Sequence, residues 1–172
     1  MRNPAEVCVY IGVGSNLGES RSLVQRALGM LAATHGCHDF RSSPWYRSKA
    51  IGPGIQNDYI NGVVGFRSHL PELELLEAMQ VVESACGRTR AQRWAARTLD
   101  LDMLLYGDAC IDSVRLTVPH PRLAERNFVV FPLFDLAPAL VLPDGVALAT
   151  VRRNLDWQGL ELLEQQAEPL SV

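Results

Sequence analysis

The chain has 172 residues, of which 48% are hydrophobic and 20% are charged, a composition typical of one globular domain. Its formal net charge of −3 argues against a nucleic-acid binder or a protein that docks on anionic membranes. The longest apolar stretch, residues 128–143, is interrupted by Pro132, Asp135 and Pro138, so it does not predict a membrane span. The first residues also lack the apolar run of a signal peptide. We therefore expect a cytoplasmic monomer with one domain over residues 1–172 and a C-terminal tail at 156–172.

The spacing of apolar residues and the turn residues between them predict six main elements. In chain order they are a strand at 7–14, a helix at 17–33, strands at 40–47 and 58–67, a helix at 71–87 and a strand at 98–106. Further helical segments are expected within 121–127 and 128–136 and at 147–155. The order β-α-β-β-α-β with C-terminal additions is typical of the split β-α-β, ferredoxin-like arrangement, in which helices pack on a mainly antiparallel sheet.

The predicted strand at 98–106 carries two carboxylates, Asp100 and Asp102, at alternate positions. Residues two apart on a strand point to the same face, about 6.5–7 Å from each other, so both carboxylates converge on one place. The leucines and the methionine between and around them, including Leu105, share the opposite parity and are expected to face the core. Two carboxylates at this spacing suit a pair of hard cations that keep water and phosphate oxygens as their other ligands. A solvated pair on an edge strand is the alternative.

A cluster of positive charge lies directly upstream of these carboxylates. Four of the fifteen arginines, Arg88, Arg90, Arg93 and Arg97, fall within ten residues, and the segment between Glu83 and Asp100 contains no acidic residue. One guanidinium group can donate two parallel hydrogen bonds to phosphate oxygens. Phosphoryl-type transfer depends mainly on positioning of the substrates and neutralisation of their charge. Next to the carboxylate pair, the cluster therefore favours a triphosphate site over a solvated loop.

A glycine-rich segment, GVGSNLG at residues 12–18, follows the first strand. It does not fit G-x-G-x-x-G, because position 17 is Leu, and no P-loop motif is present, which argues against Rossmann and P-loop proteins. His120 stands between two prolines; a lone histidine is more often structural, but this rigid placement near Arg126 also suits a phosphate contact. His35, His38 and His69 show no metal-ligand spacing, and we expect them to be surface residues.

Together these segments resemble the 6-hydroxymethyl-7,8-dihydropterin pyrophosphokinase family from about residue 7 to residue 155. The matching strings are YIGVGSNLG at 10–18, DYIN at 58–61, RWAARTLDLD at 93–102, LTVPH at 116–120, RNF at 126–128 and PLFDLAP at 132–138. The string RWAARTLDLD is highly specific. The resemblance implies an α/β, ferredoxin-like three-layer fold with helices on both sides of the sheet. It also implies transfer of pyrophosphate from ATP to the pterin alcohol in folate biosynthesis, with two Mg²⁺ ions and AMP as the other product.

The resemblance also implies roles for individual residues. Asp100 and Asp102 would hold both metal ions, and together with Arg88 and Arg97 they would form the catalytic group. Contacts to ATP would come from Gln80, Glu83, Arg88, Arg97, Arg115, His120 and Arg126. Contacts to the pterin would come from Ser48, Lys49, Ile51, Tyr59, Asn61, Trp94 and Phe128, with Tyr59 and Phe128 on the two ring faces. The loop at 87–94 is one residue shorter than in some members and Ala-Ala follows Trp94, which leaves the closure of the loop open.

Two other classes remain open. A metal-dependent nucleotidyltransferase also combines a Gly-Ser turn with a D-x-D strand. In such enzymes, however, the carboxylates follow the turn within about one helix, whereas Ser15 and Asp100 are far apart in this sequence. A non-catalytic, ferredoxin-like module that binds a small ligand is the second alternative, although it would not need paired carboxylates beside four arginines.

Overall fold

The computed structural model describes residues 5–15, 20–49, 58–87 and 99–163. The strands are β1 (Val7–Ser15), β2 (Cys37–Ser42), β3 (Tyr46–Ser48), β4 (Tyr59–Ser68), β5 (Asp100–Tyr106), β6 (Ile111–Asp112), β7 (Thr117–Val118) and β8 (Leu160–Leu162). The helices are α1 (Ser20–Ala32), α2 (Glu72–Ala85), α3 (Asn127–Leu136) and α4 (Leu148–Arg153). Within the described ranges, no helix has the length and apolar character needed to cross a membrane.

The main sheet has six strands. Five of them follow the order β5-β1-β4-β3-β8, and β2 also pairs with β4. Each pairing found in the described ranges is antiparallel. Strand β4 thus lies between β1 and the segment that carries β2 and β3, which is the split β-α-β connection predicted from the sequence. Strands β6 and β7 form a separate two-stranded ribbon that the sequence did not predict.

Helices cover both faces of the sheet. On one face, α1 and α2 pack on a cluster that includes Val9 and Ile11 of β1. On the other face, α3 and α4 pack on a second cluster that includes Val63 of β4 and Leu104 of β5. The predicted three-layer arrangement is therefore confirmed, and its two cores lie on opposite sides of the same strands.

Strand β5 contains a β-bulge at Leu104. Tyr10 pairs with Leu105 and the next β1 residue, Ile11, pairs with Met103, so Leu104 is one residue more than β1 can match. Met103 belongs to the cluster under α1 and α2, whereas Leu104 and Leu105 both belong to the cluster under α3 and α4. The prediction that Leu105 shares the face of Met103 was therefore wrong, because the bulge reverses the alternation of side chains.

The strand predicted at 40–47 is two strands in the structure. Between β2 and β3, the buried Ser43 donates its backbone N–H to the Val63 carbonyl (2.8 Å), and its Oγ accepts the Val63 N–H (2.9 Å). Pro44 follows and has no N–H to continue the ladder. The serine hydroxyl thus takes over one hydrogen bond of β4 at the point where the pairing is interrupted.

Two other boundaries also differ from the sequence prediction. The segment at 121–127, predicted as helical, contains only a 3-10 turn at Leu123–Glu125, and the regular helix α3 begins at Asn127. The last helix is shorter than the predicted 147–155 and covers Leu148–Arg153.

The described part of the C-terminal segment belongs to the sheet. Strand β8 pairs with β3, and the Leu163 N–H donates to the Trp45 carbonyl (2.9 Å). The Trp157 ring packs edge-on against Tyr46 and Phe131, with ring centroids 5.6 and 4.8 Å apart. Residues 157–163 therefore complete the sheet beside β3 and are more than the tail that the sequence indicated.

We expect the Leu160→Ala substitution to lower the free energy of unfolding by about 2 kcal/mol or more, because it opens a cavity in a buried cluster. Leu160 is 8% exposed and packs with Tyr46 and Phe131. Leu162→Ala is the matched control on the same strand, since Leu162 is 53% exposed and should lose less than about 1 kcal/mol. Urea unfolding measures both values, and equal losses would contradict the assignment of β8 to the core.

Candidate active site

A row of paired residues crosses three neighbouring strands and carries polar side chains on the α3 face. Asp100 of β5 pairs with Gly14 of β1, and Gly14 pairs with Asn61 of β4. Since neighbouring strands are about 4.8 Å apart, the backbones of Asp100 and Asn61 lie roughly 10 Å apart on one face. Asp102 points to the same face two residues further along β5. The sheet thus holds a carboxylate pair and a buried amide on one surface.

Glycines form the floor between these groups. Gly12 and Gly14 lie within β1, so the first two glycines of the predicted glycine-rich turn belong to a strand. They pair with Asp102 and Asp100, and a Cβ at Gly14 would lie 3.4 Å from Asn61 Oδ1. The absence of a side chain at Gly14 leaves room above the sheet between Asp100 and Asn61, whereas the Leu104 side chain packs over Gly12, 3.5 Å from where a Cβ would lie.

The outer edge of β5 is held by two contacts outside the sheet. Glu83 of α2, which is 4% exposed, accepts the Leu101 N–H at its Oε1 (2.8 Å). Further along β5, the Leu104 carbonyl accepts the His120 N–H (3.0 Å). Because Leu101 lies between Asp100 and Asp102 in the chain, the Glu83 contact fixes the backbone that aims both carboxylates.

This geometry changes the interpretation of one of the two predicted nucleotide contacts on α2. Glu83 was predicted to contact ATP, but its burial and its bond to Leu101 favour a positioning role for the carboxylates of β5. Gln80 lies one turn earlier on an exposed part of the helix, and its carbonyl accepts the Ser84 hydroxyl (2.8 Å). Because Gln80 is exposed, its side chain is accessible to a nucleotide, and its contact with ATP stays a prediction.

Arg126 connects the carboxylates to α3. Its Nη1 lies 3.6 Å from Asp102 Oδ2, and its guanidinium carbon lies 5.7 Å from the centre of the Phe128 ring. The arginine thus stands between a predicted metal ligand and a predicted pterin contact. A guanidinium at this place can neutralise part of the charge on Asp102 and can also meet a phosphate oxygen.

His120 is held in one tautomer when it is neutral. Its Nδ1 accepts the Arg122 N–H (3.1 Å), so the ring carries its proton on Nε2. Burial lowers the pKa of His120; the nearby Asp102 raises it in part, while Arg126 and Arg122 lower it further. At neutral pH the ring is therefore mainly uncharged, and its Nε2–H is the donor that it offers to a ligand.

The residues predicted to bind the pterin lie at the other end of the same surface. Asn61, which is 7% exposed, donates its Nδ2–H to Ser48 Oγ (2.8 Å). Tyr59 pairs with Ser48, so the side chains of all three residues point to the α3 face, where Phe128 lies in the first turn of the helix. Lys49 follows Ser48 and is exposed. The structure thus brings Ser48, Tyr59 and Asn61 together on one surface.

Arg115 lies at the edge of this arrangement. Its Nη2 donates to Glu77 Oε1 (2.9 Å) on the exposed side of α2, one turn before Gln80. Four other predicted site residues, Arg88, Arg97, Trp94 and Ile51, lie outside the residues that the structure describes. Their roles stay predictions.

Comparison with known proteins identifies the family. A sequence profile described as 7,8-dihydro-6-hydroxymethylpterin-pyrophosphokinase matches residues 10–138, which is most of the chain and includes Asp100, Asp102 and Asn61. This chain belongs to that family. It is an ATP-dependent pyrophosphokinase of folate synthesis, as the sequence motifs predicted.

Relatives of the pyrophosphokinase family cover nearly the whole chain. The protein named 2-amino-4-hydroxy-6-hydroxymethyldihydropteridine pyrophosphokinase from Pseudomonas aeruginosa is 43% identical over 155 residues, which are 90% of this chain and 96% of that protein. Its namesake from Haemophilus influenzae is 42% identical over 157 residues, covering 91% and 98% of the two chains. The described strand β8 lies beyond the residues that the profile matches.

Solved structures of HPPK-DHPS proteins share the fold. One, in complex with substrates, has a TM-score of 0.69 at 10% identity, and the matched region is 86% of this chain and 43% of the other. The wild-type Plasmodium falciparum HPPK-DHPS with pterin and p-hydroxybenzoate has a TM-score of 0.68 at 10% identity, and the matched region is 88% of this chain and 42% of the other. This chain therefore spans less than half the length of these two-part proteins and corresponds in fold to one part of them.

Two features of the site were missed from the sequence. The ion pair of Arg126 with Asp102 joins residues that are far apart in the chain, and no local pattern signals it. The bond from Leu101 to Glu83 also joins distant residues, but a signal for it was present, since an acidic residue at a buried position of α2 needs an internal partner.

Proposed function

We propose that this chain transfers the pyrophosphoryl group of ATP to the hydroxymethyl group of 6-hydroxymethyl-7,8-dihydropterin, with AMP as the second product. The observation that carries the proposal is the row that joins Asp100 to Asn61 across Gly14. It offers a phosphate-binding end and a heterocycle-binding end on one open surface, at a separation that a pterin with a one-carbon arm can span.

The pterin would lie above Gly14 with its polar edge toward Asn61. The Asn61 amide offers both a donor and an acceptor. Its bond to Ser48 fixes the orientation of the amide, with Nδ2 toward the Ser48 hydroxyl. Tyr59 and Phe128 would hold the two faces of the ring, since flat heterocycles pack well between aromatic side chains. Lys49, Ile51 and Trp94 would complete the pocket.

Asp100 and Asp102 fit a pair of Mg²⁺ ions. Both are half-exposed and both point to one face, so each can offer oxygen ligands while water and phosphate oxygens complete the shell. Bound there, two Mg²⁺ would neutralise the charge that develops between the α- and β-phosphates and lower the pKa of the attacking hydroxyl. Arg126, at 3.6 Å from Asp102, would turn toward a phosphate oxygen when the cations take over the carboxylate charge.

The phosphates of ATP would bind along the outer side of β5. His120 presents its Nε2–H there, because its Nδ1 is already occupied by the Arg122 N–H. Arg88, Arg97 and Arg126 would neutralise the β- and γ-phosphates, and Gln80 and Arg115 would reach the rest of the nucleotide. The donors of this chain thus draw negative charge away from the β-phosphorus.

The reaction is one displacement at the β-phosphorus. The hydroxymethyl oxygen forms a bond to that phosphorus, and the bond from the phosphorus to the α–β bridging oxygen breaks. AMP leaves with the bridging oxygen, and the hydroxyl proton passes to solvent. A cytoplasmic monomer remains the expected form of the protein, because the reaction needs no second chain and no membrane.

Product analysis tests the reaction. Incubation with ATP, MgCl₂ and the pterin alcohol should yield AMP and pterin diphosphate in equal amounts, because attack at the β-phosphorus moves two phosphates together. Chromatography separates these products from those of a γ-transfer. Formation of ADP and a pterin monophosphate would contradict the proposal, and so would release of inorganic pyrophosphate, which the nucleotidyltransferase alternative requires.

A further inference from the structure

Three side chains with metal-binding groups meet at the far end of the sheet from Asp100. Glu6 directly precedes β1, His38 lies in β2, and His69 directly follows β4. Glu6 Oε1 lies 3.0 Å from His38 Nε2 and 3.5 Å from His69 Nε2, and the three atoms lie within 4.8 Å of one another. The two imidazole rings stack with their centroids 5.7 Å apart. His38 and His69 are surface residues, as expected, but the fold places them beside each other, which their spacing in the sequence did not predict.

We propose that Glu6, His38 and His69 form a binding site for one divalent transition-metal ion, for which Zn²⁺ is the best-suited candidate. Zn²⁺ binds imidazole nitrogens and carboxylate oxygens at about 2.0–2.2 Å, and in tetrahedral geometry such ligands are about 3.3 Å from each other. The two distances from Glu6 Oε1, 3.0 and 3.5 Å, lie on either side of this value. The ligand atoms lie within 4.8 Å of one another and the two rings are stacked, so the histidines would have to approach each other and turn toward one point to close the triangle.

The fourth ligand would be water. The side chains of Glu6, His38 and His69 are 38%, 44% and 38% exposed, so an ion can reach them and keep one solvent ligand. Arg67 Nη1 lies 3.8 Å from the other carboxylate oxygen of Glu6, Oε2. This long contact favours Oε1 as the ligand, and the positive charge of Arg67 limits the affinity for a cation.

The donor set distinguishes this site from the carboxylate pair on β5. Two nitrogens and one oxygen favour Zn²⁺, Ni²⁺ or Cu²⁺ over Mg²⁺, which prefers oxygen ligands only. The site also lies far from the pterin surface. Tyr59 begins β4 and Ser68 ends it, so the two ends of this strand are about 30 Å apart at the usual rise per residue.

A bound ion would raise the stability of the folded chain. It would add a link between the side chains of the segment before β1, strand β2 and the residue after β4, whose backbones already meet through the pairing of β1 and β2 with β4. A ligand that binds the folded chain alone raises the melting temperature by mass action. Turnover should not depend on the ion, because no residue of the proposed catalytic surface belongs to this group.

Zn²⁺ titration of the untagged protein by calorimetry tests the site. Millimolar MgCl₂ in the buffer keeps the oxygen-only ligands of β5 occupied by Mg²⁺. We expect one saturable site in the wild type, with an affinity that falls by at least about tenfold in His38→Ala and in His69→Ala. His35→Ala is the matched control, because His35 is exposed and lies outside the triangle. ZnCl₂ should raise the melting temperature of the wild type and of His35→Ala only.

A second measurement uses the wild-type protein alone, so it does not depend on whether the variants fold. In proton NMR of the wild type, ring signals of His38 and His69 should shift together on addition of one equivalent of ZnCl₂, while those of His35 stay in place. The proposal is overturned if no saturable binding occurs, or if binding is equally tight in His38→Ala and His69→Ala. Unchanged turnover of both variants would leave the proposed pyrophosphokinase reaction intact in either case.

Discussion

Asp102→Asn should reduce turnover by about 10³-fold while the fold stays intact. A bound cation supplies several kcal/mol of charge stabilisation in the transition state, and about 4 kcal/mol corresponds to a thousandfold change in rate. The amide keeps the shape of the side chain but is a much weaker Mg²⁺ ligand. Because Asp102 is 47% exposed and its contact with Arg126 is 3.6 Å long, the free energy of unfolding should change by less than about 1 kcal/mol.

A steady-state assay of AMP formation, together with thermal unfolding, separates these two effects. Asp112→Asn on β6 is the matched control, since Asp112 is an exposed aspartate outside the site and should keep normal turnover. The Asp102→Asn variant should also need more MgCl₂ to reach half of its own maximal rate. Turnover of Asp102→Asn within twofold of the wild type would contradict the assignment of this carboxylate to the cations.

Glu83→Ala should cost about 3 kcal/mol of stability and lower turnover by at least about tenfold. The substitution leaves the Leu101 N–H without its acceptor on the outer edge of β5, and an unsatisfied buried donor costs roughly 1–3 kcal/mol in addition to the lost packing. The backbone between Asp100 and Asp102 then loses its anchor to α2. Both carboxylates should bind Mg²⁺ more weakly, although neither has been changed.

The Glu83→Gln variant distinguishes positioning from direct contact with the nucleotide. Its amide oxygen can still accept the Leu101 N–H, so it should recover most of the stability and of the Mg²⁺ affinity. Glu74→Ala is the control on the same helix, because Glu74 is exposed. If Glu83→Gln were as impaired as Glu83→Ala in the KM for ATP but normal in stability, the carboxylate would act on ATP, as the sequence indicated.

The order of the elements could be predicted because it depends on local patterns. The alternation along β1 and β4 and the apolar face of α1 are set by residues a few positions apart, and these patterns predicted the split β-α-β arrangement. The carboxylate pair on β5 was predicted for the same reason, since a shared face follows from a period of two. The family motifs then indicated the reaction, which the comparisons confirm.

Strand breaks and added strands could not be predicted in this way. The gap between β2 and β3 depends on the hydroxyl of Ser43, which replaces a backbone partner of Val63 twenty residues later. The bulge at Leu104 depends on the register against β1, and β8 on a free edge of β3. Each of these features is decided by a partner strand, and the register between strands cannot be read from either strand alone.

The sequence by itself determined the order of the strands and helices, the carboxylate pair and the family of this pyrophosphokinase. Only the tertiary structure decided how these groups are held. It placed Glu83 behind Leu101, Arg126 beside Asp102, and the far-end group of Glu6, His38 and His69 around one point. The physical reason is that hydrogen bonds, ion pairs and metal ligation act over a few ångströms, and the folded sheet brings within that range residues that the chain separates.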